Sequence, residues 1–473
     1  MNCTDINKRI IIFGASRAGE RAYKILQSFD EKVDYFVDND KNKTNSIFLC
    51  TTVKSPDFLK FINKDEYFIV IASMYYEEIV EQLTSYGLKM HKNFEHIDNY
   101  ILKSIEKNRI FFKNNLKIHN RNRGRNVLVT LPNGLILGGV ETFSINLKKG
   151  INNQENKCFL LNMKPKNKND FNINCDEIID IDINENDYLN SLVEACNIIL
   201  DYIPCTLISN GSFEILQITY IIKEFLNKNI SLISILHNDR LIIYHQNLIY
   251  SKIINKYICV SKEIKTKLTN VLLNKRRDIV TKISPIQIKN INRTYSKKGP
   301  LKIGFAGRLV KEQKRCDYLI QLIEILNKEN INFEIHIAGD GYYYEIIKQL
   351  IEYKHISDKV ILYGTIPFYK MNDFWNKLDV YLNLSDYEGT SLSMLEAMGN
   401  GLVPVVTNVS GVNEFVKNHI NGFVVNKGDI EEIKDRIIYI YNNRNILQDY
   451  GRICYENVIS KCSLDDYISY ILQ

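Results

Sequence analysis

The sequence has no long uninterrupted apolar run. No stretch of its 473 residues approaches the roughly 18 consecutive apolar residues that suggest a membrane-spanning helix. Its first residues, MNCTDINKRIIIFGAS, also lack the apolar region and the small-residue cleavage site of a secretory signal. We therefore expect a cytoplasmic protein in which any membrane contact is peripheral.

The ten cysteines lack the spacing of a metal site or a redox pair. No CxxC pair occurs, and no histidine cluster stands at metal-ligand spacing. We expect buried, reduced thiols at these positions.

The sequence also has little excess of either charge, because 61 Lys and Arg residues against 55 Asp and Glu residues give a formal net charge of +6. A nucleic-acid partner would need a concentrated basic face, so we expect none. One stretch, from Lys103 to Arg125, holds eight Lys or Arg residues against the single acid Glu106, with Phe111 and Phe112 among them. We expect a solvated linker here; the alternative is a segment that rests on an anionic membrane surface at the inner face.

Strand and helix patterns alternate in three blocks, which is typical of α/β proteins with doubly wound parallel sheets. The third block is the clearest, with six apolar strands: LKIGFAG, FEIHIAGD, KVILYG, VYLNLS, LVPVVTN and GFVVN. The predicted segments are a small Rossmann-like domain at 1–103, a basic linker at 104–124, a second α/β domain at 125–290, a third at 300–455 and a C-terminal helix at 456–473 that packs back on the preceding domain.

Two features of the second block stand where strands end. Gly138 and Gly139 lie between the strand NVLVTLP and the helix ETFSINLKKG, where glycine permits close backbone approach and a helix start offers free amides to a phosphate. His237 follows the apolar strand SLISIL. Ligands of open α/β sheets bind beyond the carboxyl ends of strands, so this imidazole is a candidate ligand contact. A histidine with a purely structural role fits the pattern equally well.

Two cations occupy one loop of the third block. Arg308 and Lys314 lie in GRLVKEQKR, between the strand LKIGFAG and a helix, and together they could neutralise a diphosphate. The alternative is a solvated turn that is merely rich in charge. The later turn Gly339-Asp340-Gly341 is accounted for by structural punctuation alone.

The segment DYEGTSLSMLE, residues 386–396, carries the strongest signal. Glu388 lies in the loop after the strand VYLNLS, just before the helix LSMLEAM. A carboxylate next to an anion-binding helix start is repelled by that anion, unless it faces hydroxyl groups or a developing positive charge. Glu396 could instead have a structural role, because Ser393 and Glu396 stand at the spacing of a capping box.

Together these residues resemble retaining glycosyltransferase family 4, whose GT-B fold consists of two facing, doubly wound Rossmann-like domains. The match covers residues 125–473, and its most specific part is Glu388 and Glu396 within EGTSLSMLEAMGNG. The resemblance implies a GT-B protein with an extra small Rossmann-like domain at its N-terminus.

By this resemblance, Arg308 and Lys314 hold the diphosphate of a nucleotide-sugar donor, and backbone amides near Ser391 and Leu392 assist them. Lys314 stands six positions after Arg308, one more than in the commonest family form, so its register is open. Thr390 belongs to the same donor-binding turn and replaces the usual aromatic residue or glycine. The identity of the donor sugar is therefore open.

The remaining roles follow in the same way. Glu396 is expected to bind the nucleotide ribose, and Glu388 to contact the donor sugar. Gly138 and Gly139 are expected to approach the phosphates, and His237 to orient the sugar near the acceptor. By the same resemblance we expect no metal and no cofactor, because enzymes of this family usually leave neutralisation of the diphosphate to the cations.

The expected reaction moves a hexose-type unit from a UDP- or GDP-sugar to a glycan, lipid-linked or wall-polymer acceptor, with retention at the anomeric carbon. One alternative is a GT-B nucleotide-sugar 2-epimerase, and another is a non-catalytic partner subunit of a glycosyltransferase. The sequence leaves the oligomeric state open.

The first block carries its own motif. Gly14, Ser16 and Gly19 form GxSxxG, and Asp38 follows the second strand near the spacing of a ribose-binding acid. Ser16 replaces the glycine that would let the backbone approach a pyrophosphate. We therefore expect a structural, acceptor-positioning or nucleotide-sensing role here, and an oxidoreductase is the more distant alternative.

Overall fold

The computed structural model describes residues 8–117, 126–152, 156–167, 169, 171, 177–286, 293, 295 and 298–473. It has the α/β architecture that the sequence predicts, with three sheets whose core strands run parallel. By its contacts the chain forms two compact units. One consists of residues 1–123, 182–203 and 214–229, and the other of residues 124–181, 204–213 and 230–473.

The first sheet has the strand order β3-β4-β2-β1-β5-β6 in the described part of the chain. Its central strands are almost wholly apolar, because helices cover both faces of the sheet. The strands are β1 (Arg9–Phe13), β2 (Val33–Val37), β3 (Ile47–Phe48), β4 (Thr51–Lys54), β5 (Tyr67–Ile71) and β6 (Phe94–His96). The helices of this block are α1 (Arg17–Ser28), α2 (Tyr76–Ser85), α3 (Ile97–Lys107) and α4 (Arg109–Asn115).

The GxSxxG turn of this sheet is packed against its own backbone. Gly14 has a φ of 126°, and a Cβ added there would lie 2.5 Å from the carbonyl oxygen of Ala72. A Cβ on Gly19 would collide with the Gly14 carbonyl. Asp38 accepts a 2.8 Å hydrogen bond from the amide of Ala15. These contacts give the glycines and the acid a packing role in the turn.

The stretch predicted as a basic linker is helical as far as residue 115. Helices α3 and α4 run through its first half, and Phe112 is fully buried beside Phe225, with ring centroids 5.9 Å apart. The burial of Phe112 therefore marks a packed helix up to residue 115 and not a solvated connection. Residues 118–125 lie outside the described chain, and the membrane alternative stays a prediction.

The first unit also contains two helical segments distant in sequence. They are α6 (Tyr188–Leu200) and α7 (Phe213–Tyr220), which continues as a π-helix over Ile221–Phe225. Arg21 of α1 pairs with Glu185 at 3.1 Å and with Glu214 at 2.6 Å. The predicted boundaries place both segments with the second domain instead. Local patterns cannot show a pairing between residues so far apart in the chain.

The second sheet has the order β13-β12-β11-β10-β7-β8-β9 over the residues that the structure describes. The strand order reverses at β7, so the crevice of this sheet opens between β7 and β10. The strands are β7 (Asn126–Leu131), β8 (Lys157–Asn162), β9 (Ile178–Asp180), β10 (Cys205–Ser209), β11 (Ile230–Leu236), β12 (Lys256–Cys259) and β13 (Ile279–Thr281). In the same unit this domain carries the helices α5 (Gly139–Asn152), α8 (Leu241–Ile249) and α9 (Lys262–Val271).

The third sheet contains all six predicted strands, in the order β16-β15-β14-β17-β18-β19. Its crevice opens between β14 and β17, where the order reverses. The strands are β14 (Leu301–Ala306), β15 (Phe333–Ala338), β16 (Val360–Gly364), β17 (Val380–Asn383), β18 (Val403–Thr407) and β19 (Phe423–Val425). The helices are α10 (Cys316–Leu326), α11 (Tyr343–Lys354), α12 (Met371–Trp375), α13 (Leu392–Gly399), α14 (Val412–Phe415) and α15 (Ile430–Asn442).

Two C-terminal helices join these two domains. Helix α16 (Ile446–Lys461) packs its buried Cys454 into the core of the third domain. Helix α17 (Leu464–Leu472) then lies on α5 of the second domain, where Gly150 makes room for Ile468. None of the described helices is long and apolar enough to span a membrane.

Candidate active site

The carboxyl ends of the second and third sheets meet in one cleft. Thr390 donates a 2.7 Å hydrogen bond from its Oγ1 to the carbonyl oxygen of Val260 on the second domain. A Cβ on Gly139, at the start of α5, would lie 3.3 Å from Cδ1 of Leu392. The structure thus brings the glycine pair against the DYEGTSLSMLE segment, although the two are far apart in sequence.

Gly389 is the tightest point of this contact. Asn238 and Gly389 form an isolated antiparallel bridge between the two domains. A Cβ on Gly389 would collide with the His237 carbonyl and lie 2.7 Å from Cγ2 of Val260. The domains can approach as they do only because residue 389 has no side chain.

A buried ion pair lies at the crevice of the third sheet. Lys314, from the loop after β14, places its Nζ 2.5 Å from Oε1 of Glu388, from the loop after β17. Their side chains are only 13% and 10% exposed. Burial lowers the pKa of Lys314, but the charge and hydrogen bond of Glu388 together with Tyr381 outweigh it, so the net pKa lies above its ordinary value. Lys314 is therefore a fixed positive charge at physiological pH.

Further donors hold Glu388 in place. Ser385 donates from its hydroxyl to Oε1 at 2.8 Å, and Gln313 donates from Nε2 to Oε2 at 3.3 Å. Arg308 in turn donates to Oε1 of Gln313 at 3.1 Å. Sequence reasoning missed Ser385 and Gln313, because neither is charged. The available signal was only their position in the same strand-end loops as Lys314 and Glu388.

The two lysines between Arg308 and Arg315 occupy different environments. Lys311 is exposed, whereas Lys314 lies beside Glu388 and against Gly307. The next residue, Arg315, adopts a left-handed conformation with a φ of 51° and pairs with Asp386 at 3.0 Å. The C-terminal end of the Arg308–Lys314 loop is thus attached to the segment that carries Glu388.

The Gly339-Asp340-Gly341 turn packs against the loop that carries Arg308. A Cβ on Gly339 would collide with the Gly307 carbonyl, and the amide of Leu309 donates to the Asp340 carbonyl at 2.9 Å. The turn thus has a structural role, because it holds the loop that carries Arg308 in place.

Glu396 does not form the capping box that its spacing allows. Ser391 is the N-cap of α13 and accepts from the Met394 amide, while Ser393 bonds the hydroxyl of Tyr381 at 2.9 Å. The carboxyl of Glu396 is approached by Nε1 of Trp375 at 3.4 Å. Burial raises its pKa to about 7, and the Trp375 hydrogen bond opposes this shift. The capping alternative is therefore wrong, and the carboxyl is placed to accept further hydrogen bonds.

Thr390 is buried at the contact between the two domains. Its hydroxyl donates to the Val260 carbonyl on the second domain, and its part in binding the donor stays a prediction. Ser391 and Leu392 still place the free amides of the α13 N-terminus at the crevice.

His237 is oriented by an asparagine of the neighbouring strand end. Its Nε2 lies 2.9 Å from Oδ1 of Asn210, and the amide group of Asn210 donates to the Thr130 carbonyl and to the Ser144 hydroxyl. With its NH2 group used in this way, Asn210 must accept from His237, which assigns the proton to Nε2. Burial lowers the pKa of His237 to about 4, so the ring is neutral at physiological pH.

The glycine pair lies beside a buried carboxyl group. Glu141 is 2% exposed, and Asn133 donates to it at 2.8 Å. A Cβ on Gly138 would lie 2.5 Å from Oε2 of Glu141. Burial raises the pKa of Glu141, while Asn133 and the charge of Arg308 oppose the shift.

The described residues contain no group of three or more His, Cys, Asp or Glu side chains arranged to hold a metal ion. Most cysteines of the described chain are buried, and Cys50 is exposed.

Comparison with protein families identifies the third domain. The model of glycosyl transferases group 1 matches residues 287–456, which contain Arg308, Lys314, Glu388 and Glu396. The chain carries a glycosyl transferases group 1 domain. A second model, described as C2185-like, N-terminal, matches residues 6–94.

Among curated relatives, a poly(ribitol-phosphate) alpha-N-acetylglucosaminyltransferase of Staphylococcus aureus is 30% identical over 169 residues, which are 35% of this chain and 33% of that protein. The capsular polysaccharide biosynthesis glycosyltransferase CapM of the same species is 27% identical over 172 residues, or 34% of this chain and 42% of that protein. The chain thus aligns with about a third of the first relative and less than half of the second.

Solved structures of the GT-B fold match more of the chain. A Staphylococcus aureus TarM structure with UDP and alpha-GlcNAc-glycerol covers 98% of this chain and 99% of its own at a TM-score of 0.52 and 17% identity. The pneumococcal O-GlcNAc transferase GtfA with UDP and GlcNAc covers 75% of this chain and 100% of its own, at a TM-score of 0.58 and 13% identity. The second and third domains form a GT-B fold, as the sequence predicts.

The contact at Gly389 predicts a trappable closed state of the GT-B domains. Ser261 and Ser410 face each other across it with their hydroxyl oxygens 2.8 Å apart. We expect the double variant Ser261→Cys, Ser410→Cys to form a disulfide on mild oxidation, visible as a shift on a non-reducing gel. Adding Gly389→Ala introduces an overlap worth about 1–3 kcal/mol, so the yield should fall.

The two single-cysteine variants control for pairing with native thiols. An equal disulfide yield with and without Gly389→Ala would contradict this account of domain closure.

The environment of His237 predicts a pH-dependent stability. Because its folded-state pKa is about 4, below the ordinary value of about 6.5, the unfolded chain binds more protons between these two values. Stability from the neutral ring is therefore complete above pH 6.5 and is lost as the pH falls towards 4. Denaturant unfolding of the parent and of His237→Gln at several pH values should show this extra loss only in the parent. A parent and variant with parallel pH dependence would rule out a neutral buried ring.

Proposed function

We propose that this protein is a retaining glycosyltransferase that transfers a sugar from a UDP-sugar to a hydroxyl group of a cell-wall or capsular polymer. The glycosyl transferases group 1 domain and the names of its relatives support this class of reaction. The aligned part of the first relative is about a third of its length. The proposed activity therefore depends on the arrangement of the site residues in this chain as well as on the similarity.

The observation that carries the proposal is the buried Lys314–Glu388 ion pair at the switch point of the third sheet. An anionic diphosphate bound at the α13 N-terminus would take Lys314 as its counter-ion, with Arg308 as a second one. Glu388, once released from Lys314, would accept hydrogen bonds from sugar hydroxyls. In this proposal Lys314 binds the diphosphate of the nucleotide sugar, and Glu388 binds its sugar.

The chemistry is a substitution at the anomeric carbon. The acceptor oxygen forms a bond to that carbon, the bond to the β-phosphate oxygen breaks, and its electron pair leaves with the UDP. The acceptor proton passes to the departing phosphate oxygen, so attack and departure occur on the same face. Lys314, Arg308 and the amides at Ser391 and Leu392 would stabilise the charge that develops on the leaving group, in place of a metal ion.

The opposite wall of the cleft would position the sugar and the acceptor. His237 is neutral and its Nε2–H is used by Asn210, so Nδ1 has a lone pair to accept from a hydroxyl group. Gly139 would let the backbone approach the phosphates, and Glu396 would accept from the ribose hydroxyls of the nucleotide.

The donor that we put first is UDP-N-acetylglucosamine. The Staphylococcus aureus relative is named an alpha-N-acetylglucosaminyltransferase, and the pneumococcal structure holds UDP and GlcNAc. For the acceptor, the names point to polyol-phosphate and capsular polymers.

The test is release of UDP from a panel of UDP- and GDP-sugars, with and without a poly(ribitol-phosphate) acceptor. We expect UDP release from UDP-N-acetylglucosamine that the acceptor accelerates. Glu388→Gln should lower kcat by about 100-fold or more, because the sugar loses a charged partner. The matched control is Glu345→Gln, an exposed glutamate of the same domain.

Three outcomes would contradict the proposal. The first is no UDP release from any donor, and the second is full turnover by Glu388→Gln. The third is release of an epimerised nucleotide sugar without acceptor, which would indicate an isomerase.

A further inference from the structure

Gln313 connects the cationic and acidic halves of the donor site. It lies in the loop after β14, between Arg308 and Lys314, and its side chain is half-buried. The Oε1 atom accepts from Nη2 of Arg308 at 3.1 Å. The Nε2 atom donates to Oε2 of Glu388 at 3.3 Å and to the Tyr387 carbonyl at 3.3 Å. One amide group therefore contacts both side chains to which the proposed function gives opposite tasks.

The backbone of Gln313 is fixed to the same segment. Its carbonyl oxygen accepts from the amide of Asp386 at 3.0 Å. Arg315 then pairs with the carboxylate of Asp386, so both neighbours of Lys314 are attached to the loop after β17. The side chain of Gln313 consequently starts from a backbone that cannot shift freely.

The hydrogen bonds of Glu388 show what this amide contributes. Lys314 and Ser385 both act on Oε1 of Glu388, whereas Gln313 acts on Oε2. When a diphosphate recruits Lys314, the Oε1 side loses its strongest partner. Gln313 and Ser385 then keep the plane of the carboxylate fixed while it turns from an ion pair to the sugar.

We propose that Gln313 is a positioning residue that orients Glu388 towards the donor sugar and Arg308 towards the diphosphate. This inference rests on the proposed function. It assigns a task to an uncharged residue of the Arg308–Lys314 loop, whose amide lies between the two charged groups. Gln313 acts through its neighbours and touches no reacting atom.

Two substitutions distinguish the contact of Gln313 with Arg308 from its contact with Glu388. In Gln313→Glu a carboxylate can still accept from Arg308, but it has no N–H for Glu388 and repels it. In Gln313→Ala both contacts are lost. Glu312→Ala is the matched control, because Glu312 is the exposed neighbour in the same loop.

The measurements are UDP affinity by calorimetry and steady-state kinetics of UDP release. We expect Gln313→Glu to keep UDP affinity within about threefold of the parent while kcat falls at least tenfold. Gln313→Ala should lower kcat similarly and also weaken UDP binding by about three- to tenfold. A merely structural loop residue would instead lower the thermal midpoint and would not separate kcat from UDP affinity.

The inference is overturned if Gln313→Glu turns over at the parent rate, or if both variants lose UDP binding and kcat to the same extent. Melting curves of all variants identify any loss through unfolding, and Gln313→Asn then offers a milder change that retains the amide but shortens its reach. If the parent protein releases no UDP from any donor, the proposed function fails instead.

Discussion

The ion pair between Lys314 and Glu388 is the interaction on which the rest of the site depends. Two charges are held in a region where each side chain is largely shielded from water, and such burial costs several kcal/mol per ion unless the partner is present. Neighbouring groups are arranged around that pair. Ser385 and Gln313 satisfy the carboxylate, while Arg315 and Asp386 fasten the loop. The two charges are thus kept ordered by neutralising each other.

In the proposed function, such a pair would also give donor binding its specificity. A ligand that carries only an anion would take Lys314 and leave Glu388 buried without its counter-ion, which is unfavourable. A nucleotide sugar offers phosphate oxygens for the lysine and hydroxyl groups for the carboxylate together. The opposite domain adds a neutral imidazole at His237, which suits an uncharged sugar. Closure at Gly389 brings these walls together.

Much of this fold could be predicted from local sequence patterns. The six strands of the third domain are long, apolar and separated by helices, and all six occur. Short strands such as β9 and β13 have too few residues to give a periodic signal. The attachment of 182–203 and 214–229 to the first unit includes the ion pairs of Arg21, whose acidic partners lie far along the chain.

In the site, too, single residues could be predicted from their local sequence, but contacts between distant residues could not. Charged residues at strand ends could be predicted, because a glutamate such as Glu388 beside an anion-binding helix start needs a partner of its own. Uncharged partners could not, because Gln313, Ser385 and Asn210 acquire their roles only through contacts with other strand ends. The hydrogen bond from Thr390 to Val260 could not be predicted either, because its partner lies on the other domain.

The central claim is that a sugar is transferred with its anomeric configuration retained. The most direct measurement is ¹H NMR of the first product formed from an α-linked UDP-sugar and a polyol-phosphate acceptor, recorded before mutarotation of any free sugar. The account predicts an α-anomeric proton with the small coupling constant of an α-glycoside. A β-linked first product would contradict it.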